Sequence, residues 1–370
     1  MTDPPTRRLR VLHLVLMLGE TNSQYNEHCL PMIGERDLSI VTYFTPRLSP
    51  PPEIHLSPGD GTIRGFFRAL RRALDGRTYD AIHAHAPESA ALLLAALVLW
   101  GRLRRWRRTL VYTVHDSFYD YSLRNQALML LTLGWFRRVV FCSRAARDSY
   151  PWPWLRVVGS RSRIVQNGAD LDRVGRAIAT APRRGSHAFT VVSVGRLERV
   201  KDPTTMVDAF AGVAVGNDRL VMIGTGPLEP ELASRARQAG LNGRFEMTGL
   251  IARDDVFRRC ASADVFVSTS RGEGLPVAVI EAMATGRPAI LSDISPHREV
   301  VDDAAFIPLV PPGDVDGFAA QIRRLRDMPA QERRRIGERC RELAHARFRL
   351  ERMHAGYETV YRELIRELRS

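Results

Sequence analysis

STSRGEGLPVAVIEAMATGRPAI, residues Ser268 to Ile290, joins the end of an apolar run to a Gly-rich loop and a helix start carrying spaced carboxylates. The run before it, DVFVSTS from Asp264 to Ser270, has the length of a buried strand. Pro276 suits a first helical turn, and Val277, Ile280 and Ala284 follow at helical spacing. Gly272 and Gly274 let a ligand approach the backbone closely, and the free N–H groups of a helix start favour an anion. Glu273 lies in the loop and Glu281 about two turns further on, so both can accept hydrogen bonds from sugar hydroxyls in one cleft. Taken singly, Glu273 serves as well as a helix-dipole partner and Glu281 as a solvated face residue. Strand, glycine loop and helix in this order form one step of an open parallel sheet, with a ligand at the strand's carboxyl end.

The step recurs upstream. Thr190 to Val194 (TVVSV) leads to Gly195, Arg196 and Lys201, after which Asp202 and Pro203 open a helix. The Gly-to-Lys spacing is not that of a P-loop, yet a forked guanidinium and a point ammonium beside a strand end suit a departing diphosphate. Leu220 to Ile223 ends in a Gly-x-Gly turn at Gly224 and Gly226, which lacks the third glycine of a dinucleotide fingerprint. Phe245 to Ile251, Leu291 to Asp293 and Ala305 to Leu309 supply further strands, and from Asp316 to Ser370 the pattern is helical.

The first half repeats the alternation. Val11 to Leu18 is a near-continuous apolar run of the buried parallel type, ending at Gly19, which opens a ligand-facing turn. Thr21, Asn22 or Ser23 can cap the helix that follows. Leu38 to Phe44, Tyr79 to His85, Thr109 to His115, Val139 to Ser143 and Ile164 to Gln166 read as strands, and Pro46 to Pro58 as a loop. Ile63 to Leu74 is an amphipathic helix with Phe66, Phe67, Leu70 and Leu74 on its inner face. The polar run from Arg173 to His187 marks a linker.

Composition sets the class. At 370 residues with 45% hydrophobic content the chain is comfortable as two soluble domains. The net charge of +13 is uneven: residues 1–180 hold 25 Arg against 15 acids, and the remainder is nearly balanced. The first half therefore faces something anionic, whether nucleic acid, an acidic membrane or a phosphorylated lipid. Lys201 is the only lysine among 54 basic residues, which marks a place where a compact ammonium is wanted. Cys29, Cys142, Cys260 and Cys340 show no metal or disulfide spacing and read as reduced thiols of a cytoplasmic protein. The longest apolar run is short of the ~20 residues of a membrane span. No signal peptide is evident.

Two features of the first half bear on ligands. His83 and His85 project from one face of their strand; with no third ligand nearby in sequence, a packing role at the sheet end outweighs a metal site. The cluster GRLRRWRR, with Trp100 and Trp106 among its arginines, suits a bilayer interface or, equally, a solvated helix end.

The succession Glu-Gly-Leu-Pro at residues 273–276, then Glu281 followed by Ala-Met-Ala-Thr-Gly-Arg-Pro, resembles the signature of the family-four glycosyltransferases. The resemblance covers most of the chain and is specific in residues 190–315. It implies the GT-B fold, an α/β architecture of two Rossmann-like domains facing each other across a cleft. The expected parts are an acceptor-binding domain at residues 1–180, a nucleotide-sugar-binding domain at 181–350, and a last helix at 351–370 crossing back to the first domain. It further implies retaining transfer of a sugar from a nucleotide diphosphate sugar to a hydroxyl of a glycan or lipid-linked acceptor, in cell-surface polysaccharide or glycolipid synthesis. Arg196 and Lys201 would stabilise the leaving diphosphate, Glu281 would hold ribose, and Glu273 with His115 would orient the sugar. Gly19, Gly195, Leu250, Ile251, Gly272, Gly274, Leu275 and Pro276 would line the donor. No metal or other cofactor is required, because the two cations take its place.

Two other readings compete. A nucleotide-sugar epimerase of the same architecture would consume donor without acceptor. A nucleic-acid-binding protein would explain the charge, but the arginines are dispersed and no recognised module is present, so nucleic acid is not an expected partner. The expected location is the cytoplasm, at the inner face of the membrane.

Overall fold

The computed structural model describes residues 7–20, 22–180 and 188–369, with the side chains of the last helix as far as Glu367. Thr21, one of the three candidate caps, and the 181–187 part of the expected linker lie outside the described residues. The chain divides into two compact units, one running to Gln166 and taking up the chain again from Glu351, the other spanning Asn167–Leu350.

The first unit is built on seven parallel strands: β1 (Leu9–Val15), β2 (Arg36–Thr42), β3 (Ile54–Ser57), β4 (Ala81–Ala84), β5 (Leu110–Val114), β6 (Arg138–Phe141) and β7 (Ser162–Ile164). Their order is β3-β2-β1-β4-β5-β6-β7, so the direction of winding reverses between β1 and β4. Apolar runs make the central strands: β1 and β5 are buried almost throughout because helices cover both sheet faces. The helix Ile63–Leu74 starts where Thr62 accepts a hydrogen bond from the Gly65 N–H, and it buries Phe66, Leu70 and Leu74. Asn22 caps the helix Ser23–His28.

The first unit departs from expectation at β3. That strand lies inside the segment read as a loop, because a four-residue edge strand with only Ile54 buried leaves too little pattern to read between prolines.

The second unit has six parallel strands: β8 (Thr190–Val194), β9 (Arg219–Ile223), β10 (Phe245–Met247), β11 (Val265–Ser268), β12 (Ala289–Ser292) and β13 (Leu309–Val310). The order β10-β9-β8-β11-β12-β13 reverses between β8 and β11. β13 is shorter than the strand expected from Ala305, because residues 305–307 turn, with Ile307 N–H bonded to Ala304 C=O, and Pro308 has no N–H to donate.

The boundary also moves. The chain passes into the second unit at Asn167, not near 181, and most of the presumed linker is the helix Leu171–Ala179. Asp170 caps this helix, and Leu171, Val174 and Ala177 are buried. Arg173, read as the linker's start, pairs with Asp254 at 2.7 Å. The polar residues that mimic a linker are simply this helix's outer face.

The last helix, Leu350–Arg369, belongs to the first unit from Glu351 onward. Tyr357, Val360, Tyr361 and Leu364 are buried. On its flank Glu363 bridges Arg138 and Arg163 at 3.2 and 2.7 Å, and Glu358 reaches buried Arg36 at 3.2 Å.

Packing behind the second sheet makes two helical glycines opposite in effect. An added Cβ at Gly337, in the helix Ala330–Arg347, would fall 2.1 Å from the Gly286 carbonyl oxygen. One at Gly175 would meet nothing within 4 Å. Gly175→Ala is therefore expected to stabilise by up to ~1 kcal/mol through helix propensity. Gly337→Ala should instead destabilise by ~1–3 kcal/mol through overpacking. Urea denaturation of the two variants checks the opposite signs.

Candidate functional site

In a parallel sheet whose order reverses, the loops at the strand ends part at the switch point and leave a crevice. In the second unit those loops follow β8 and β11, and they carry the residues singled out from the sequence. The β8 loop runs from Gly195 through a short turn at Arg199–Lys201 to Asp202, which adopts the left-handed conformation at φ 46°. Asp202 then caps the helix Pro203–Ala211, accepting from Thr205 Oγ1 at 2.9 Å, and its carboxylate pairs with Arg271 at 2.7 Å. The β11 loop is fastened to it through the backbone. Arg271 N–H donates to Val200 C=O at 2.8 Å, and the Thr269 hydroxyl donates to Asp202 C=O at 2.8 Å.

Fastening the loops brings Lys201 and Glu273 together, with Nζ 2.5 Å from Oε2 and the two side chains only 22% and 11% exposed. Glu273 Oε1 accepts from Ser270 Oγ at 2.8 Å. Behind them His297, fully buried, is bound to the Ser292 carbonyl at 2.8 Å, and burial holds its pKa below the ordinary value. The helix Val277–Ala284 follows Pro276, which precedes its first residue, and no side chain caps its N-terminus. That contrasts with the helix after Lys201, whose N-terminus Asp202 already occupies. Of these two helix starts, the one beyond Glu273 has no side-chain cap, and its dipole favours an anion.

Not every expected group joins this cluster. Glu281 pairs closely with Arg253, a residue the sequence reading passed over. Arg196 pairs with Glu198 at 2.8 Å and is 65% exposed. Leu250 is also exposed, whereas Gly272, Gly274, Leu275 and Pro276 are buried, and neither of these glycines has a positive φ. Gly224 and Gly226 are needed for a different reason: an added Cβ would fall 2.0 Å from Gly195 O or 2.3 Å from Leu197 O. They let the β9 loop lie against the β8 loop.

The first unit shows its own group at the same kind of place. β1, β4 and β5 end beside one another, and His13, His83, His85 and His115 come from those strands and their ends, with His28 from the helix Ser23–His28. His85 stacks on His83 with ring centroids 4.1 Å apart. His83 bonds Tyr361 OH and Thr113 Oγ1, each at 2.7 Å. His83 and His85 have no third histidine near them in sequence, because sheet order brings His13 and His115 in from distant segments. Gly19 closes a turn with Asn22 N–H at 3.1 Å, and an added Cβ there would meet nothing within 4 Å. The proposed bilayer anchors are otherwise engaged: Trp106 is buried beside Tyr79, and Trp100 packs edge-on against Phe67.

The family described as Glycosyl transferases group 1 matches residues 179–343, and Glycosyltransferase Family 4 matches residues 34–173. A phosphatidyl-myo-inositol mannosyltransferase of Mycobacterium leprae (strain TN) is 30% identical over 274 residues, covering 71% of this chain and 69% of its own. The UDP-Gal:alpha-D-GlcNAc-diphosphoundecaprenol alpha-1,3-galactosyltransferase of Escherichia coli is 25% identical over 316 residues, covering 80% and 78%. Among solved structures, sucrose-phosphate synthase from Thermosynechococcus elongatus superposes with TM-score 0.79 at 21% identity, over 97% of this chain and all of that one. Anabaena HepE, solved with UDP and glucose, gives 0.75 at 17% identity, over 98% and 99%. The likeness to solved structures shows the fold.

Burial sets the protonation of the histidine group. It lowers His13 to about 3 and His115 to about 4, and holds His28, His83 and His85 well below the ordinary value. These rings stay neutral in the folded chain but take up protons on unfolding below about pH 6.5. Their stabilising contribution is thus complete above that pH and is lost as pH falls. Each ring adds a slope of up to ~1.4 kcal/mol per pH unit. Urea denaturation at pH 7.5, 6.5 and 5.5 should show a progressive loss of stability; a flat profile would contradict buried neutral imidazoles.

Proposed function

The chain belongs to the group 1 glycosyl transferases of family 4, and from that premise we propose that it moves a sugar from a nucleoside diphosphate donor to an acceptor hydroxyl with retention at the anomeric carbon. The observation that carries the reading is the Lys201–Glu273 pair at the switch point of the second unit, beside an uncapped helix start. In the free protein each charge satisfies the other. A donor replaces both partners at once: its diphosphate takes the ammonium, and its sugar hydroxyls donate to the carboxylate. Arg196, exposed on the same loop, supplies the forked second cation, and the start of the helix Val277–Ala284, which no side chain caps, adds its dipole.

The remaining roles follow from the resemblance. Glu281, steadied by Arg253, accepts from the ribose hydroxyls, and the backbone at Leu250 and Ile251 meets the base. His115 of the first unit hydrogen-bonds the sugar. As the bond from the anomeric carbon to the phosphate oxygen breaks, the acceptor oxygen bonds to that carbon on the same face. The acceptor's proton passes to the leaving phosphate oxygen. Lys201 and Arg196 stabilise the charge that develops there, and none of these steps draws on a metal.

The relatives named above are transferases, which speaks for transfer over epimerisation. Two of them are named for acceptors bearing phosphate on a lipid, phosphatidyl-myo-inositol and a diphosphoundecaprenol. The first unit has matching chemistry. A hollow of ≈ 470 Å³ is lined by Arg107, Arg108, Trp135, Arg137, Arg161 and Glu367. Four arginines stand there against one carboxylate, Glu367, which pairs with Arg137 at 2.6 Å. Leu123, Leu131 and Trp135 are exposed along the helix Leu123–Thr132 and its continuation, and Val157 lies beside the turn at Gly134. Exposed apolar residues on the same unit as an arginine-rich hollow suit the surface of an anionic bilayer. No described helix is long and apolar enough to cross one.

Three outcomes are expected. A thermal-shift screen of UDP, GDP, ADP and dTDP sugars should give a clear preference for one nucleotide; no shift with any would overturn the donor reading. Lys201→Ala and Arg196→Ala should each lower kcat by ~10²–10³, as loss of a preorganised charge donor does, with the chain still folded. The Leu123→Ser, Leu131→Ser double variant should sediment less with phosphatidylglycerol vesicles than the parent, which itself should ignore phosphatidylcholine vesicles.

A further inference from the structure

Three of the five histidines form a line. His13 Nδ1 lies 2.9 Å from His85 Nε2, and His85 Nδ1 lies 3.0 Å from His115 Nε2. Ring centroids in the two pairs are 5.2 and 5.3 Å apart, with planes 18° and 28° from parallel. That is edge-to-edge contact, nitrogen to nitrogen, quite unlike the face-to-face stack of His83 on His85. We propose that His85 and His13 are positioning residues that hold His115 as its Nδ1–H tautomer, leaving that N–H free to donate to substrate.

The direction of the chain follows from its buried end. A neutral imidazole has one donor and one acceptor, so two rings joined nitrogen to nitrogen must point the same way. Either every proton sits on Nδ1, or every proton sits on Nε2. His13 Nε2 is buried and has no hydrogen-bond partner among the described residues. With protons on Nε2, an N–H would be stranded there; with protons on Nδ1, only a lone pair is. Stranded buried N–H groups are the rarer and costlier defect. His13 therefore donates to His85, His85 donates to His115 Nε2, and His115 keeps its proton on Nδ1. Burial keeps all three rings neutral. His83 holds the middle ring from its face, and its own nitrogens are taken by Tyr361 and Thr113.

The same rings fit a metal ion less well. Both nitrogens of His85 are engaged by imidazoles and both of His83 by hydroxyls, so an ion held by one nitrogen each of His13, His83 and His85 would have to break a hydrogen bond of His85 and one of His83. The Arg36 charge also bears on His13, His28 and His83 and opposes a second cation.

The test is a long-range ¹H–¹⁵N spectrum of the full-length protein labelled at histidine. His13, His85 and His115 should all appear as neutral Nδ1–H tautomers. An Nε2–H form of any of the three, or stoichiometric zinc or nickel uptake with loss of these signals, overturns the proposal. His85→Phe keeps a ring on His83 but cuts the line, and should shift His115 toward Nε2–H. His13→Asn, whose amide N–H can replace the Nδ1 donor, should leave it unchanged and covers the case in which the first variant does not fold. An unshifted His115 in folded His85→Phe also overturns the lock. The consequence for catalysis rests on the sugar contact proposed for His115, and kinetics separates the two. His85→Phe should lower kcat/KM about tenfold while the free nucleoside diphosphate binds as before. A shifted tautomer with unchanged kcat/KM supports the lock and removes the sugar contact.

Discussion

An ammonium and a carboxylate that are mostly shielded from water must be held together by something other than their attraction. Desolvating Lys201 and Glu273 offsets much of what their contact gains, so the pair is not what makes the second unit stable. The backbone makes it possible: the β11 loop is bonded to the β8 loop at Val200 and Asp202, and Asp202 accepts a left-handed φ to turn the chain into its helix. These loops are neighbours because β8 and β11 lie side by side where the strand order reverses. Parallel pairing therefore comes first, loop bonding second, and the charge pair last.

The first unit meets the same geometry without charge. Its strands also reverse order, between β1 and β4, but the groups gathered at their ends are neutral imidazoles joined to one another and to hydroxyls. Neutral rings avoid the cost of a buried ion yet need each N–H matched, which makes their arrangement directional. The last helix contributes to that matching. Tyr361 bonds His83 directly, and Tyr357 lies 3.1 Å from the Thr113 hydroxyl on which His83 also depends. Residues over two hundred positions apart in the chain thus fix one ring, and that ring supports His85.

What could be read in the sequence follows from how far apart the cooperating residues lie. Gly195 to Lys201 and Ser268 to Glu281 are each continuous stretches, so strand, loop and helix were legible there, as was the presence of Lys201 and Glu273 in one site. Their direct contact was not, because it depends on which strands are neighbours. Arg253 was missed for the same reason: nothing near it in sequence points to Glu281, and only the packing of two helices joins them. The histidine group was half visible, through His83 and His85 on one strand face. The helix at Leu171–Ala179 was hidden by its polar outer face, and β3 by its brevity. Trp106 misled in the opposite sense, since an aromatic among arginines reads as a surface anchor although this one is buried.

The lone lysine can now be placed against the arginines around it. The space next to the Lys201 stem is uncrowded: even an added Cβ at Gly195 would sit at ordinary contact distance, 3.9 Å from Lys201 Cγ. The stem can therefore run along the backbone and end at the carboxylate. An ammonium concentrates its charge on one atom and donates in three directions, so it can pass from Glu273 to a phosphate oxygen by a small rotation. A guanidinium at that position would spread its charge over a plane matched to the carboxylate it already holds, and would release it less readily. Arg196 is largely exposed, and its ion pair among the described residues is with Glu198, so its fork can reorient around a diphosphate. In the proposed reaction the two cations are thus not duplicates: the shielded one is in place before the donor arrives, and the exposed one is recruited by it.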